Sequence, residues 1–174
     1  MSETRTTIRS QVYTDAGVHF NALVRRSGYA PGQVQYHLRR LLAADELVSE
    51  EFYGQTHYYP PTYDAEERVV LALLRRETTR DIVTVLLDRG QTTPATLAGT
   101  LGVARSTLEY HLDRLVAHDV VEKRYDASNR VTVVLVQPDA TARLLAVVEP
   151  SIADRFVDRF ARLVDEVLEP DPDR

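Results

Sequence analysis

Residues 36–45 read YHLRRLLAAD and residues 110–119 read YHLDRLVAHD, so one stretch of the chain returns after 74 positions. Upstream, the same offset pairs like residues without a gap: Ile8 with Ile82, Leu23 with Leu97, Gly28 with Gly102 and Ala30 with Ala104. Solenoid repeats are about 20 to 50 residues long, whereas a longer period is enough for a small domain with its own core. The chain therefore carries two copies of one small fold.

The second copy shows the order of the elements most clearly. Two helical stretches, a glycine turn, a third helix and two strands follow one another over residues 81–88, 94–100, 101–103, 105–118, 120–125 and 130–136. In the third helix, Leu108, Leu112 and Leu115 have the i, i+4, i+7 spacing of one buried face. The first copy repeats this order, with Pro31 in the first turn of its third helix. Its short strands are expected over residues 48–52 and 57–59, around a turn at residues 53–56.

Three helices with a glycine turn, closed by a β-hairpin, are the layout of a winged helix-turn-helix, whose third helix can enter the major groove of DNA. We therefore predict a mainly α fold with small β-hairpin wings: two tandem winged helix-turn-helix domains plus C-terminal helices. The predicted boundaries are residues 1–63 for the first domain, 64–78 for a connecting helix capped by Asp64, 79–138 for the second domain, 139–168 for a C-terminal helical dimerisation region and 169–174 for an acidic tail.

The helix-turn-helix of the second copy also resembles a known family. Residues 101–115, LGVARSTLEYHLDRL, are similar to the winged-helix transcriptional regulators related to the arsenical-resistance and multiple-antibiotic-resistance repressors. The tandem order, with GVHF at residues 17–20 and THYYPP at residues 56–61, resembles the two-winged-helix regulators of halophilic archaea. The resemblance spans roughly residues 4–137 and implies a DNA-binding role in transcription.

The composition argues against several other classes of protein. The sequence has no cysteine, its five histidines lack metal-ligand spacing, and it holds neither a glycine loop that could cradle phosphates nor a nucleophile paired with a base. We therefore expect neither an enzyme nor a bound cofactor or metal. The longest apolar runs, such as residues 69–74, are far below the roughly 18 residues of a membrane span. We expect a cytoplasmic protein without a membrane partner.

The net charge of -5 is unusual for a DNA-binding protein, because such proteins usually carry a basic patch. Residues 1–63 hold six basic and six acidic side chains, residues 64–137 ten and eleven, and residues 138–174 five and nine. The excess acid thus lies mainly in the tail. The charge still supports a rival interpretation, in which the chain binds a protein of the transcription or replication machinery and reads no DNA sequence.

The third helix of the first copy presents the first candidate DNA-binding surface. With Val34, Leu38 and Leu41 as the buried stripe, the helical step of about 100° exposes the opposite face. Glutamine pairs with adenine and arginine with guanine through two hydrogen bonds each, and arginines at the end of the preceding helix are placed to meet phosphates. The residues predicted to contact DNA are Arg25, Arg26, Gln33, Gln35, Tyr36, Arg39 and Arg40.

The second copy presents a less basic helix face. Glu109 and Asp113 suit a phosphate-lined groove poorly, so this helix either accepts hydrogen bonds from cytosine amino groups or contacts protein. Its hairpin nevertheless carries the basic residues expected of a wing. The candidates for DNA contact here are Arg105, Ser106, Tyr110, Arg114, Lys123, Arg124 and Arg130. The two copies would then divide the work, with helix readout in the first and wing contacts in the second.

Histidines and tyrosines have both structural and functional interpretations. His37 and His111 hold matching positions, and we expect packed, hydrogen-bonded side chains rather than ligands or switches. A second set of aromatic side chains either seats a wing and a linker, which we favour, or lines an effector site or stacks on bases. This set consists of Tyr53, Tyr58, Tyr59 and Tyr63.

An apolar helix face over residues 151–168 predicts a second subunit. Its candidate dimerisation residues, at spacings of 4, 4, 3 and 4, are Ile152, Phe156, Phe160, Leu163 and Val167. Completion of the core of its own domain is the alternative. A two-fold dimer would place two recognition helices about 34 to 36 Å apart on one face of DNA. We therefore expect a homodimeric, sequence-specific regulator of double-stranded DNA, and a repressor rather than an activator.

Overall fold

The computed structural model describes residues 2–152, and over that range the two copies form the same fold. The first copy consists of α1 (Glu3–Thr14), β1 (Val18–His19), α2 (Phe20–Ser27), α3 (Pro31–Ala43), β2 (Val48–Phe52) and β3 (Gln55–Tyr59). After the connecting helix α4 (Ala65–Leu74), the second consists of α5 (Glu77–Arg89), β4 (Gln91–Thr92), α6 (Pro94–Leu101), α7 (Arg105–Ala117), β5 (Val121–Tyr125) and β6 (Val131–Leu135). The last described helix is α8 (Pro138–Val148). The mainly helical fold with two small wings confirms the prediction.

Residues at matching positions begin and end the second helix of each copy. Gly28 and Gly102 end α2 and α6 in the left-handed region, at φ values of 71° and 65°, where a side chain would be strained. The same helices begin with different side chains in one role. The His19 Nδ1 atom accepts from the Ala22 amide, and the Thr93 hydroxyl accepts from the Thr96 amide. The two copies thus share the backbone conformation of the glycine turn but use different residues, histidine and threonine, as the N-cap of the second helix.

Each copy closes with a three-stranded antiparallel sheet, in the order β1-β3-β2 and β4-β6-β5. The pattern predicted only the hairpins, because β1 and β4 have two residues each and are too short to show alternation. In the first hairpin, Tyr53 and Gly54 both have positive φ, the backbone of a two-residue type I′ turn. The turn is therefore tighter than the four residues expected, and β3 begins at Gln55.

The connecting helix α4 is a core element of the second copy. Asp64 and Glu67 cap its start reciprocally, with hydrogen bonds of 2.8 and 3.0 Å, which confirms the predicted cap. Leu71, Leu73 and Leu74 are then at most 1% exposed and pack into the second core. The helix thus forms one wall of the second domain.

Contacts along α4 also fix the first copy. The Tyr59 hydroxyl donates to the Arg68 carbonyl at 2.8 Å, and the Arg75 guanidinium donates twice to the Ala16 carbonyl. A β-carbon on Gly17, whose φ is 84°, would lie only 3.2 Å from the Leu71 side chain. The backbone of the first copy at Ala16 and Gly17 therefore contacts side chains of Leu71 and Arg75 directly. These contacts define how the two copies are placed relative to each other.

The described chain ends just after α8, which lies at the start of the C-terminal helical region predicted over residues 139–168. Ile152 is half-buried and packs against the second core, as expected of a helix that completes its own domain. Phe156, Phe160, Leu163 and Val167 lie outside the described residues. No helix in residues 2–152 is long and apolar enough to cross a membrane.

Candidate nucleic-acid interface

The exposed face of α3 is the one that the helical spacing predicts. Val34, Leu38 and Leu41 are at most 2% exposed and fill the first core. The residues predicted to read DNA all lie on the solvent side of this helix. They are Gln33, Gln35, Tyr36, Arg39 and Arg40.

These five side chains are not equally available. The Gln33 carbonyl oxygen accepts from the Ala30 amide at 3.3 Å and so helps to cap α3. Arg40 donates to the Tyr36 hydroxyl at 3.0 Å. Within residues 2–152, neither Gln35 nor Arg39 has a hydrogen-bond or ion-pair partner. The interface therefore has two uncommitted side chains one helical turn apart.

The two arginines at the end of α2 differ in their partners. Arg26 forms an ion pair with Asp15, with 2.6 Å between nitrogen and oxygen. Arg25 is exposed and has no carboxylate within 4 Å in the described part of the chain. Of the pair, Arg25 is the one that has no carboxylate partner and is therefore available to an external anion.

A concave surface of about 320 Å³ lies between α2 and the first wing, beside α3. Asn21, Gln35, Gln55 and Thr56 are among its lining residues. Of these four residues only Gln35 was predicted to contact DNA, because the pairing of β1 with β3 brings the first wing beside α2 and no local pattern displays it. A glutamine of the candidate reading helix thus shares a polar groove with wing residues.

On α7 and the wing of the second copy, basic side chains form ion pairs with acidic side chains of the same copy. Glu109 on α7 lies 3.2 Å from Arg105 and 2.8 Å from Lys123 on β5. The hydrogen bond from Lys123 is the main reason why the pKa of Glu109 lies below its ordinary value. Two further wing residues are also paired: Arg124 with Glu122 at 2.6 Å, and Arg130 with Asp126 at 2.9 Å. The basic wing that the sequence predicted therefore has an acidic partner at each cation.

Arg114 lies between two tyrosine rings from different copies. Its guanidinium carbon is 3.9 Å from the ring centre of Tyr53, in the first wing, and 4.1 Å from that of Tyr110 on its own helix. The Tyr53 hydroxyl and the His118 Nε2 atom share a hydrogen bond of 2.9 Å. We call Tyr53, Tyr110, Arg114 and His118 the wing clamp. The clamp joins the tip of the first wing to Arg114 and to His118, the residue that follows α7.

The remaining predicted residues of α7 stay at the surface. Ser106 is exposed, and Tyr110 is half exposed beside Arg114. The structure thus separates the predicted residues into an open first set on α3 and a second set on α7 and its wing that is mostly engaged in intramolecular contacts.

Several of the histidines and tyrosines named from the sequence have hydrogen-bond partners within the fold. His111 and Thr79 share a hydrogen bond of 3.4 Å, as expected, whereas the buried Nδ1 atom of His37 has no partner in residues 2–152. At the offset of 74 residues Thr79 corresponds to Arg5, so the first copy lacks the hydroxyl that bonds to the histidine in the second copy. The tyrosines that were expected to seat a wing and a linker include Tyr59, which is fully buried, and Tyr53 in the wing clamp.

Comparison with known families assigns a helix-turn-helix to each copy. A family model described as an N-terminal HTH domain matches residues 2–71, and a model described as a helix-turn-helix domain matches residues 73–124. No curated protein matches the chain. The two matches meet inside α4, in agreement with the two copies of the repeat. Two helix-turn-helix domains in tandem indicate a transcriptional regulator that binds DNA.

Proposed function

We propose that the chain is a sequence-specific repressor that binds double-stranded DNA as a homodimer and reads it with α3. The availability of Gln35 and Arg39 carries this proposal. Both side chains are exposed on the face opposite the buried stripe, and neither has a partner in the described residues. They are also the residue types that bind adenine and guanine through two hydrogen bonds each in the major groove.

The internal repeat supports assigning the reading role to the first copy. At the offset of 74 residues, Gln35 corresponds to Glu109 and Arg39 corresponds to Asp113. Carboxylates at these two positions of α7 would face the DNA phosphates, and Glu109 is already held by Arg105 and Lys123. The same helix position is therefore suited to DNA in one copy and poorly suited in the other.

The second copy has a supporting role in this proposal. Its third helix is held by the wing clamp, and its core includes α4, which fixes the first copy. Residues 139–168 then follow it as the proposed dimerisation region. The second copy would thus fix the position of the first copy, and of its helix α3, within the dimer.

A dimer of two such readers accounts for specific binding and for repression. Two copies of α3 related by a two-fold axis would meet half-sites about one helical turn of DNA apart. A dimer bound where its operator overlaps the promoter would block polymerase, whereas activation would need a further contact with the transcription machinery. Repression is therefore the simpler consequence of the proposed binding mode.

Fluorescence anisotropy of labelled duplexes tests the proposal. The full chain is titrated into DNA from upstream of its own gene and into scrambled DNA of the same composition, at low and at molar KCl. Counterion release drives nonspecific binding and contributes little at high salt. Preference for the upstream DNA that survives molar KCl is the expected result.

Equal affinity for the two duplexes, or no binding at either salt concentration, would overturn the reading role of α3. A reporter gene behind the same upstream DNA tests the sign of regulation. Its expression should fall when the chain is supplied, and a rise would contradict repression.

A further inference from the structure

A basic cavity of about 390 Å³ lies where the first copy meets the second. α2 contributes Arg25 and Arg26, and its N-cap residue His19 lines the same space. The second side contributes cations from the segment after α4 and from α5, and a carboxylate that follows α8. These residues are Arg75, Arg80 and Glu149. Four guanidinium groups from two domains therefore surround one concave space that contains a single lining carboxylate.

Two of the four arginines already have carboxylate partners. Arg26 pairs with Asp15 at 2.6 Å, and Arg80 pairs with Glu149 at 3.4 Å. Arg25 and Arg75 have no carboxylate within 4 Å in residues 2–152. The cavity therefore keeps two cations that lack an anion, one from each side of the junction.

Arg75 is held in a fixed orientation at this site. Its Nε and Nη2 atoms donate to the Ala16 carbonyl at 3.1 and 2.7 Å. A guanidinium has five N–H donors, so these two bonds leave three for another acceptor. A planar group fixed along one edge is preorganised to donate from the other, which is how arginine binds phosphate and carboxylate.

The local potential agrees with this geometry. The pKa of Arg75 is lowered to about 10, mainly by burial; Asp15 opposes this shift, whereas the neighbouring Arg26 and Arg80 contribute to it. Burial, followed by Arg25 and Arg26, also lowers the pKa of His19. Positive charge is therefore crowded in the cavity, and a bound anion would relieve that repulsion.

We propose that this cavity binds a small multivalent anion, of the phosphorylated or polycarboxylate class, between the two domains. Its volume lies in the usual range of small-molecule sites, about 300 to 1,000 Å³. A DNA backbone is the other source of phosphate groups. Glu149 at the lining would repel a long polyanion that extends past the cavity, whereas a small anion can bind the arginines alone.

Binding would stabilise the present placement of the two domains, since the ligand touches both. α2 directly precedes the reading helix α3, so the anion would change DNA affinity by holding that helix relative to the dimer. This regulatory consequence rests on the proposed DNA-reading function. The binding site itself does not, because it is assayed on the protein without DNA.

Isothermal titration calorimetry of the full chain with sodium pyrophosphate, and separately with citrate, tests the site at low KCl. One saturable site for at least one of these anions is expected, with a rise in Tm. Arg25→Gln should weaken that binding about tenfold, because it removes a cation that has no structural partner. Arg89→Gln, a change of equal charge at the exposed end of α5, is the control and should bind like the wild type.

Other outcomes overturn the proposal. The absence of saturable binding for both anions would do so, as would equal weakening by Arg25→Gln and Arg89→Gln. Anisotropy with a scrambled duplex separates the two sources of phosphate. If Arg25→Gln weakens duplex binding but leaves pyrophosphate and citrate binding unchanged, the cavity serves the DNA backbone and the small-anion site is rejected.

Discussion

The Arg114 guanidinium lies 3.9 Å from the centre of the Tyr53 ring, so the wing of the first copy rests on the third helix of the second. Tyr53 has a φ of 51°, a left-handed conformation that is uncommon for an aromatic residue. The two-residue type I′ turn between Phe52 and Gln55 requires this conformation, and the Tyr53 hydroxyl forms a hydrogen bond with His118 across the junction. The contact therefore joins the two copies at a second point, distant from α4 in sequence.

Tyr53→Asn should destabilise the full chain by about 1 to 2 kcal/mol, because it removes a cation–π contact and a hydrogen bond. Asparagine tolerates a positive φ, so the turn itself is kept. Tyr125→Asn, which changes an aromatic residue that is 64% exposed in the other wing, should have a much smaller effect. Chemical denaturation measures both, and equal losses would show that the wing clamp contributes nothing.

Arg39→Ala should weaken binding to the specific duplex by about 1 to 3 kcal/mol, because one base contact is lost. Asp113→Ala, at the matching position of α7, should leave binding unchanged or strengthen it slightly by removing a negative charge. Anisotropy with the upstream duplex compares the two variants, while circular dichroism checks their fold. A larger loss for Asp113→Ala would transfer the reading role to the second copy.

Acidification should lower the stability of the fold between about pH 7 and pH 5. His57 is 2% exposed, and its Nδ1 atom donates to the Gly17 carbonyl at 2.6 Å. Burial is the main cause that lowers its pKa, so the unfolded chain, with an ordinary histidine pKa of about 6.5, takes up the proton first. The free energy of unfolding then falls by up to about 1.4 kcal/mol per pH unit for each proton.

His57→Gln isolates this contribution because glutamine has no proton to gain in that range. The variant should show a smaller fall of Tm between pH 7 and pH 5 than the wild type, whatever its stability at pH 7. His37→Gln is the control, at a half-buried histidine whose Nδ1 atom has no hydrogen-bond partner within residues 2–152. Parallel Tm profiles for wild type and His57→Gln would contradict the assignment of His57 as a buried neutral side chain.

The homodimer proposal predicts that Phe156→Glu with Phe160→Glu in one chain gives a monomer, because two charges would enter an apolar interface. Sedimentation equilibrium of the full chain measures the mass. A dimeric variant would place the interface elsewhere. Asp154→Lys with Asp158→Lys changes neighbouring acidic residues of the same segment and should leave the dimer intact.

The helices were predictable because their periodicity is strong and local. Three leucines of α7 are fully buried, as their spacing requires, and Asp64 caps α4 through its own side chain. The exposed face of α3 followed from the same step of about 100° per residue. These features depend on residues within one or two helical turns, which the sequence displays directly.

The contacts that residues of the second copy make with the first copy were not predictable in the same way. Arg114 lies on the expected flank of α7, but its partner Tyr53 is 61 residues away in a wing of the other copy. Arg75 and Arg80 likewise meet Arg25 only after the two domains have packed together. No periodicity encodes such contacts, because they depend on how separate elements dock.

The buried leucines of α4 limit how the two halves could be exchanged in evolution. If recombination at Pro60 and Pro61 joined the second half to another first half, α4 would move together with the second core that it completes. That core would then keep every residue that α4 and the second copy contribute to it. The recipient half would still need a glycine at position 17 and a free carbonyl at Ala16 to accept Leu71 and Arg75. The two copies share one fold, yet their contacts through α4 make each dependent on particular residues of the other.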